Sequence, residues 1–183
     1  MLSYENQPGA SGTPPPDWPS KTRLARRHDR YTLVMFAHPD CPCTRASLAQ
    51  IESLMPRLQG RLDVFIQFRK PGISLRDAQA SDLWKTAAAI PGVSVLLDPD
   101  GGEVREFGAE VSGQTVLYSP NGKLIFTGGI TASRGHIGDS PGLTAVLLGV
   151  NGAEGLVKAL VFGCSLRDPG SAEITKDSSW SRR

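Results

Sequence analysis

The stretch of sequence that decides the fold is Tyr31-Thr32-Leu33-Val34-Met35-Phe36-Ala37-His38-Pro39-Asp40-Cys41-Pro42-Cys43-Thr44-Arg45-Ala46-Ser47. Its apolar start predicts a buried β-strand over 31–37. The apolar residues that follow recur at three- and four-residue spacing: Leu48, Ile51, Leu54, Met55 and Leu58. This spacing predicts a helix over about 44–59. The Cys41-Pro42-Cys43 triplet therefore lies at a strand-to-helix junction, where the partial positive charge of the helix N-terminus favours a thiolate.

The remaining pattern alternates strands with helices. Strands are predicted over 62–68 and 93–97, helices over 80–90, 102–109 and 141–150, and a hairpin over 114–118 and 123–127 around Ser119-Pro120-Asn121-Gly122. A strand–helix–strand order with a short return favours a right-handed parallel unit. The sequence thus predicts an α/β fold with a central mixed sheet, a βαβ half, and a C-terminal β-hairpin plus helix.

Bulk composition excludes several classes of protein. The 183 residues are 39% apolar, which fits one domain with a substantial core. The 20 basic and 18 acidic residues nearly balance, which argues against a nucleic-acid binder. Three cysteines are too few for a disulfide-stapled secreted scaffold. No run approaches the roughly 18 apolar residues of a membrane span.

The two ends of the chain differ from its middle. Residues 1–29 are rich in proline and are predicted to be a disordered linker, residues 30–166 the domain, and residues 167–183 a flexible tail. A linker of this kind is typical of a domain that follows a membrane anchor. We therefore expect the periplasm or cell envelope with an anchor missing from this chain, or the cytoplasm if the N-terminus is complete as given.

The cysteine triplet predicts redox chemistry. Residues at i and i+2 can meet the roughly 7 Å limit on Cα separation in a disulfide, and the small ring is expected to be strained and therefore oxidising. We assign Cys41 as the exposed nucleophile and Cys43 as its resolving partner, since two buried cysteines at these positions would need special geometry. His38 is a candidate proton shuttle or positive charge, or else a strand-end histidine bonded to a carbonyl. Arg45 is a second candidate positive charge.

Three blocks of sequence carry a family resemblance. Residues 36–47, the run Gly128-Gly129-Ile130-Thr131-Ala132-Ser133-Arg134-Gly135-His136-Ile137-Gly138-Asp139, and Val161-Phe162-Gly163-Cys164 resemble the RedB-like branch of thioredoxin-fold proteins. More distantly, the layout is similar to TlpA-type thiol–disulfide oxidoreductases, whose relatives include membrane-tethered proteins. The resemblance covers about residues 30–166 and implies a thioredoxin-like fold with redox-active cysteines.

The chain also departs from the TlpA-type pattern. Registering Pro42-Cys43 on a Cys-x-x-Cys motif places Asp40, rather than a cysteine, at the usual nucleophile position. The cis-proline that such proteins carry before the hairpin corresponds here to Gly113. The rules by which those proteins select substrates are therefore not transferable.

Besides Gly113, three residues outside the triplet are secondary candidates: Arg134, His136 and Cys164. Arg134 and His136 lie in the second block of the resemblance, where His136 with Asp139 is a candidate oriented imidazole. Asp139 and Ser140 are predicted caps of the helix at Pro141. Cys164 is either a buried small hydrophobe or a third redox partner, and the two interpretations stay open.

Two functions compete at this stage. The first is a thiol–disulfide oxidoreductase of the redox or isomerase type that uses the Cys41-Pro42-Cys43 pair. It would need no cofactor and would act on a thiol or disulfide of a protein or small molecule. The alternative is a soft-metal module in which Cys41, Cys43 and Cys164, with His38 or His136, hold copper or zinc. A peroxidase is disfavoured because the Thr-x-x-Cys context of peroxiredoxins is absent before Cys41.

Overall fold

Six strands form one mixed sheet in the computed structural model of the chain, which describes residues 8–167. They are β1 (Tyr31–Ala37), β2 (Leu62–Phe68), β3 (Val93–Leu97), β4 (Thr115–Tyr118), β5 (Leu124–Gly128) and β6 (Val157–Lys158), in the spatial order β3-β2-β1-β4-β5-β6. Parallel pairs join β1 to β2 and β2 to β3, whereas β4 is antiparallel to both β1 and β5. This confirms the predicted βαβ half and hairpin.

Five helices connect or cover the strands. They are α1 (Pro42–Leu58), α2 (Leu75–Ala80), α3 (Asp82–Ala89), α4 (Gly102–Glu106) and α5 (Pro141–Val150). The predicted bounds of β1, β2, β3 and α5 agree with the structure. Helix α1 begins at Pro42 rather than Thr44 because proline has the φ angle of a first helical residue and needs no hydrogen-bond partner there. Helix α2 and strand β6 were not predicted.

The central strands β1 and β4 are buried on both faces of the sheet. One face packs against α1, α3 and α5 through a cluster that includes Leu33, Ile51, Trp84 and Val146. The opposite face of β1 and β4 packs against α4 and the two ends of the described chain, with Phe36, Phe107, Tyr118 and Leu166 fully or almost fully buried. Strand β1 reads as a continuous apolar run because it contacts a core on each side.

The N-terminal segment, residues 8–30, contributes to the apolar cluster on this second face of the sheet. Trp18 lies with its ring centroid 5.2 Å from those of both Phe107 and Tyr118. Tyr118 donates a hydrogen bond to the Pro15 carbonyl at 2.9 Å, and Leu24 is buried. For residues 8–29 this differs from the predicted disordered linker, because the outer face of the sheet needs an apolar cover. The domain boundaries themselves stay a prediction.

Some predictions fall outside what the structure describes. Residues 1–7 and residues 168–183, which include nearly all of the predicted tail, lie outside the described residues. Within the described range, no helix combines the length and the hydropathy that crossing a bilayer requires.

Candidate functional site

All three cysteines meet at the start of α1. The Sγ atom of Cys41 lies 2.9 Å from the Sγ atom of Cys164, and each cysteine is a free thiol. Cys41 is the N-cap of α1, in an extended conformation (φ −89°, ψ 120°) and with no side-chain capping bond, so its thiol is free to face Cys164. Cys164 is only partly buried and its thiol contacts that of Cys41, which does not fit the interpretation of Cys164 as a buried small hydrophobe.

The burial of the triplet differs from the sequence prediction. Cys41 is 1% exposed and Cys43 is 5% exposed, whereas Cys164 is partly exposed. The expectation that Cys41 is exposed is therefore wrong, as is the expectation that both cysteines are unlikely to be buried together. The reason is that the segment 161–166 lies over the first turn of α1 and brings Cys164 against Cys41.

Backbone pairing holds this C-terminal segment in place. Ser112 N–H donates to the Cys164 carbonyl at 2.8 Å, and Leu166 N–H donates to the Glu110 carbonyl at 2.9 Å. Val111 and Ser165 form an antiparallel bridge between these bonds. The short stretch before β4 is therefore paired with the segment that carries Cys164.

Ser112 connects the two halves of the site and was missed by sequence reasoning. Its hydroxyl donates to the Sγ atom of Cys41 at 3.2 Å and accepts a bond from the Cys164 N–H at 2.9 Å. Ser112 is fully buried, so these bonds are shielded from water. No local motif marks this serine, because its role arises only when segments far apart in sequence meet.

The three thiols differ sharply in acidity. A hydrogen bond from the Cys43 thiol, with further bonds from Cys164 and Ser112, lowers the pKa of Cys41 to about 4 against the opposing effect of burial. The hydrogen bond to Cys41 raises the pKa of Cys43 far above its usual range. Burial, followed by the hydrogen bond to Cys41, raises the pKa of Cys164 to about 11. The Cys41 thiolate thus accepts hydrogen bonds from two protonated thiols, those of Cys43 and Cys164.

This acidity gives a pH-dependence that can be measured. Because the pKa of Cys41 is depressed to about 4, its thiolate should persist as the pH falls and be lost only around that value. We expect one thiolate per reduced chain between pH 6 and pH 7, measured by ultraviolet thiolate absorbance with Cys41→Ser as the blank. Loss of the signal near pH 8.5, the value of an ordinary cysteine, would contradict the assignment.

His38 occupies the position of a structural histidine. Its Nδ1 atom accepts a hydrogen bond from the backbone N–H of Asp40 at 3.2 Å. The backbone N–H of His38 donates to the Thr44 hydroxyl at 3.3 Å. Burial, more than the opposing effects of Asp40 and Cys41, lowers the pKa of His38. The imidazole is therefore neutral at pH 7, and a positively charged His38 is not what the structure supports.

The two candidate arginines lie on different sides of the thiols. Arg45 is exposed on the first turn of α1, where it lines a groove of about 440 Å³ with Pro39, Asp40 and Cys41. Arg134 is partly buried, with Nη1 at 3.9 Å from the Sγ atom of Cys43 and 3.0 Å from the Gly163 carbonyl. The Arg134 cation lowers the pKa of Cys43 and also that of Cys164, although neither effect outweighs the causes that raise them.

The remaining loop candidates are separate from the thiols in the contacts they make. His136 is exposed, and among residues 8–167 no hydrogen bond joins its side chain to Asp139, so the predicted oriented imidazole is not formed. Ser140 caps α5 by accepting from the Leu143 N–H at 3.1 Å. Asp139 is exposed and is not the N-cap, which corrects the part of the capping prediction that included it.

Solved structures with a similar fold come from several bacteria. The chain is similar to a hypothetical protein from Sinorhizobium meliloti 1021, with 16% identity, a TM-score of 0.62, and coverage of 90% of this chain and 97% of that one. It is also similar to an uncharacterized conserved protein from Geobacillus kaustophilus, with 17% identity, a TM-score of 0.61, and coverage of 91% and 95%. A third is the pneumococcal exposed lipoprotein thioredoxin of Streptococcus pneumoniae strain TIGR4, with 19% identity, a TM-score of 0.51, and coverage of 68% and 85%.

This chain has a thioredoxin-like fold. The fold prediction is confirmed on the order and direction of the strands together with these similarities. No protein-family model matches the sequence. No curated protein matches it either.

Within this thioredoxin-like fold, Gly113 stands just before β4, beside the end of β1 and near Ser47 of α1. Its φ is +84°, its N–H donates to the Phe36 carbonyl at 2.7 Å, and a Cβ atom there would lie 3.4 Å from the Ser47 hydroxyl and 3.5 Å from the Phe162 carbonyl. No cis peptide bond occurs among residues 8–167. The positive φ favours glycine at this position.

The metal alternative gains no support from the site. Across the part of the chain that the structure describes, no group of three or more His, Cys, Asp or Glu side chains is disposed to hold a metal ion. The Sγ atoms of Cys41 and Cys164 contact each other directly instead. His38 uses Nδ1 to accept a backbone hydrogen bond, which occupies one of its two possible ligand atoms.

Proposed function

We propose that this protein is a thiol–disulfide oxidoreductase in which Cys41 is the reactive cysteine. The observation that carries the proposal is the contact between two free thiols, those of Cys41 and Cys164, at the N-terminus of α1. Two thiols that close at a helix N-terminus can form and break a disulfide without large movement of the backbone. Cys43 provides a third thiol next to Cys41.

The chemistry is a two-step exchange. The Cys41 thiolate attacks one sulfur of a substrate disulfide, which forms a mixed disulfide and releases the other substrate sulfur as a thiolate that takes up a proton. A second thiol of the protein then loses its proton and attacks the Sγ atom of Cys41, which releases the rest of the substrate as a second thiol. Two electrons pass from the protein to the substrate, and the protein is left with one disulfide.

The acidity of Cys41 favours the reverse direction. A thiolate that is stabilised at neutral pH stabilises the reduced protein, and a stabilised reduced form makes the disulfide form a stronger oxidant. The low pKa of Cys41 therefore favours oxidation of substrate thiols, with electrons passing to the protein. The same steps run backwards, with the atoms and electrons balanced as above.

The groove beside Cys41 is the proposed place where substrate approaches. It has a volume of about 440 Å³ and is lined by the loop before α1, by Arg45, and by residues 80–83 at the start of α3. Lys70 and Asp40 form an ion pair at 2.6 Å on its margin. A polar, open groove of this kind fits a peptide segment or a small thiol such as glutathione.

Family branch and location are part of the proposal. The three blocks of residues 36–47, 128–139 and 161–164 support membership of the RedB-like branch. The pneumococcal protein of similar fold is described as an exposed lipoprotein, and we extend a location in the periplasm or cell envelope to this chain on that likeness and on its proline-rich start. Oxidation of substrate thiols is chemistry that fits an oxidising compartment.

The test is exchange with a defined substrate. The oxidised protein is mixed with a reduced model peptide that has two cysteines, and formation of the peptide disulfide is followed together with the metal content of the protein. The expected result is catalysed oxidation by metal-free protein when glutathione disulfide is the terminal oxidant. A protein that shows no exchange, or exchanges only after loading with copper or zinc, would overturn the proposal.

A further inference from the structure

We propose that Cys41 forms its disulfide with Cys164, rather than with Cys43 as the sequence suggested. This inference rests on the proposed function and names the pair of cysteines that performs it. It gives the C-terminal segment 161–166 a chemical role that the Cys-Pro-Cys motif does not reveal.

The sulfur atoms of Cys41 and Cys164 lie close enough to form a disulfide with little movement. The Sγ atoms of Cys41 and Cys164 are 2.9 Å apart, and the two cysteines are separated by 123 positions in the sequence, so a bond between them closes no small ring. A disulfide bond requires about 2.05 Å, so closure needs only a small movement of two side chains. Closing Cys41 to Cys43 would instead form a small ring that contains Pro42 and the first turn of the helix.

Hydrogen bonds to Ser112 hold Cys164 in place beside Cys41. Its N–H and its carbonyl both bond to Ser112, whose hydroxyl also donates to Cys41. Before Cys164, the Gly163 carbonyl accepts a hydrogen bond from Arg134. After it, Leu166 is buried in the same cluster as Phe36 and Tyr118. Cys164 is thus presented to Cys41 by bonds on both sides of it, which is the pre-organisation that a resolving thiol requires.

Cys43 differs from Cys164 in its position and in its contacts. It belongs to the helix, its carbonyl accepts a bond from the Ser47 hydroxyl at 3.2 Å, and its thiol faces Arg134. The Cys43 thiol can donate a hydrogen bond to the Cys41 thiolate and can keep that bond while Cys41 reacts with Cys164. We therefore assign to Cys43 the stabilisation of that thiolate, as a positioning residue.

Cys164 is the thiol that resolves the mixed disulfide. When Cys41 is joined to a substrate sulfur, the Cys164 thiol gives its proton to water and its sulfur attacks the Sγ atom of Cys41. The Cys41–Cys164 bond forms, the bond from Cys41 to the substrate breaks, and the substrate sulfur leaves as a thiolate that is then protonated. The protein is oxidised by two electrons and the substrate disulfide is reduced by the same two.

Peptide mapping separates the two pairings cleanly. Trypsin releases Cys41 and Cys43 together in the peptide 31–45, and Cys164 in the peptide 159–167. The full chain is oxidised with glutathione disulfide, its remaining thiols are blocked, and it is digested without reduction. We expect a peptide in which 31–45 and 159–167 are linked, in most of the chains. An unlinked peptide 31–45 that is lighter by two hydrogens would show the Cys41–Cys43 bond and overturn the inference.

Three serine variants complete the test. Cys43→Ser should still yield the linked peptide, whereas Cys164→Ser should accumulate a mixed disulfide of glutathione on Cys41. If the link persists in Cys41→Ser and is lost in Cys43→Ser, the pair is Cys43–Cys164 and the inference is wrong. Exchange through a Cys41–Cys43 bond refutes this pairing but keeps the proposed function, whereas the absence of any exchange refutes both. Circular dichroism of each variant confirms that it is folded.

Discussion

Cys41→Ser is expected to reduce thiol–disulfide exchange to the uncatalysed rate. Cys41 is the cysteine with the depressed pKa, and it contacts both Cys164 and the Ser112 hydroxyl. A serine hydroxyl has nearly the same size but does not ionise at neutral pH, so the variant keeps the packing and loses the nucleophile. The measurement is the rate of peptide oxidation with glutathione disulfide as the terminal oxidant.

Cys43→Ser is the matched control for this prediction. Cys43 lies two residues from Cys41 in the same buried turn. Its proposed role is to stabilise the Cys41 thiolate through a hydrogen bond. We expect this variant to keep measurable exchange, with a higher pKa for Cys41 because the largest cause of the lowering is weakened. Equal and complete loss in both variants would contradict the distinction drawn between the two cysteines.

Gly163→Ala is expected to destabilise the domain by about 1–3 kcal/mol and to reduce the yield of the Cys41–Cys164 disulfide. A Cβ atom at Gly163 would lie 1.7 Å from the Ser112 carbonyl oxygen, which is far inside any normal contact. The segment can accommodate the methyl group only by moving away from Ser112. That movement breaks the bonds that hold Cys164 against Cys41.

The control for this prediction is Gly102→Ala, on a helix away from the thiols. A Cβ atom there would meet nothing closer than the Asp98 carboxylate at 3.7 Å, an ordinary contact. Urea unfolding of the two reduced variants gives the difference in stability, and peptide mapping of the oxidised variants gives the disulfide yield. Wild-type stability together with a wild-type yield in Gly163→Ala would contradict the description of this contact.

Most of the sheet was predictable because its signals are local. Strands β1, β2 and β3 are apolar runs bounded by polar or turn residues, and the Asn121-Gly122 turn marks the hairpin. Helix α2 was missed because it is one and a half turns long and mostly exposed. Its signal was present in the cap, where the Ser74 hydroxyl accepts from the Asp77 N–H.

The apolar cluster on the face of the sheet that carries Phe36 and Tyr118 could not be predicted from the local sequence pattern. Residues 8–30 have no apolar periodicity, yet Trp18 and Leu24 pack on the sheet because the face carrying Phe36 and Tyr118 would otherwise be exposed. Recognising that β1 is apolar on both faces indicates that something must cover the second one. It does not indicate which segment of the chain does so.

The site was predictable only in part, for the same reason. Cys41, Cys43 and Arg134 could be proposed from a motif and a resemblance, and the structure places them together. The contact between Cys41 and Cys164, and the role of Ser112 in it, depend on the pairing of 110–112 with 164–166. Pairings between segments so far apart in sequence leave no local periodicity.

Redox titration of the full chain in glutathione buffers tests the central claim most directly. The thiols that remain at each ratio of reduced to oxidised glutathione are counted by mass spectrometry after alkylation. With a Cys41–Cys164 disulfide, we expect a single reversible two-electron transition in which each chain loses two of its three thiols and keeps the thiol of Cys43. Three thiols that persist at every ratio, or a chain that takes up only glutathione and forms no internal disulfide, would contradict it.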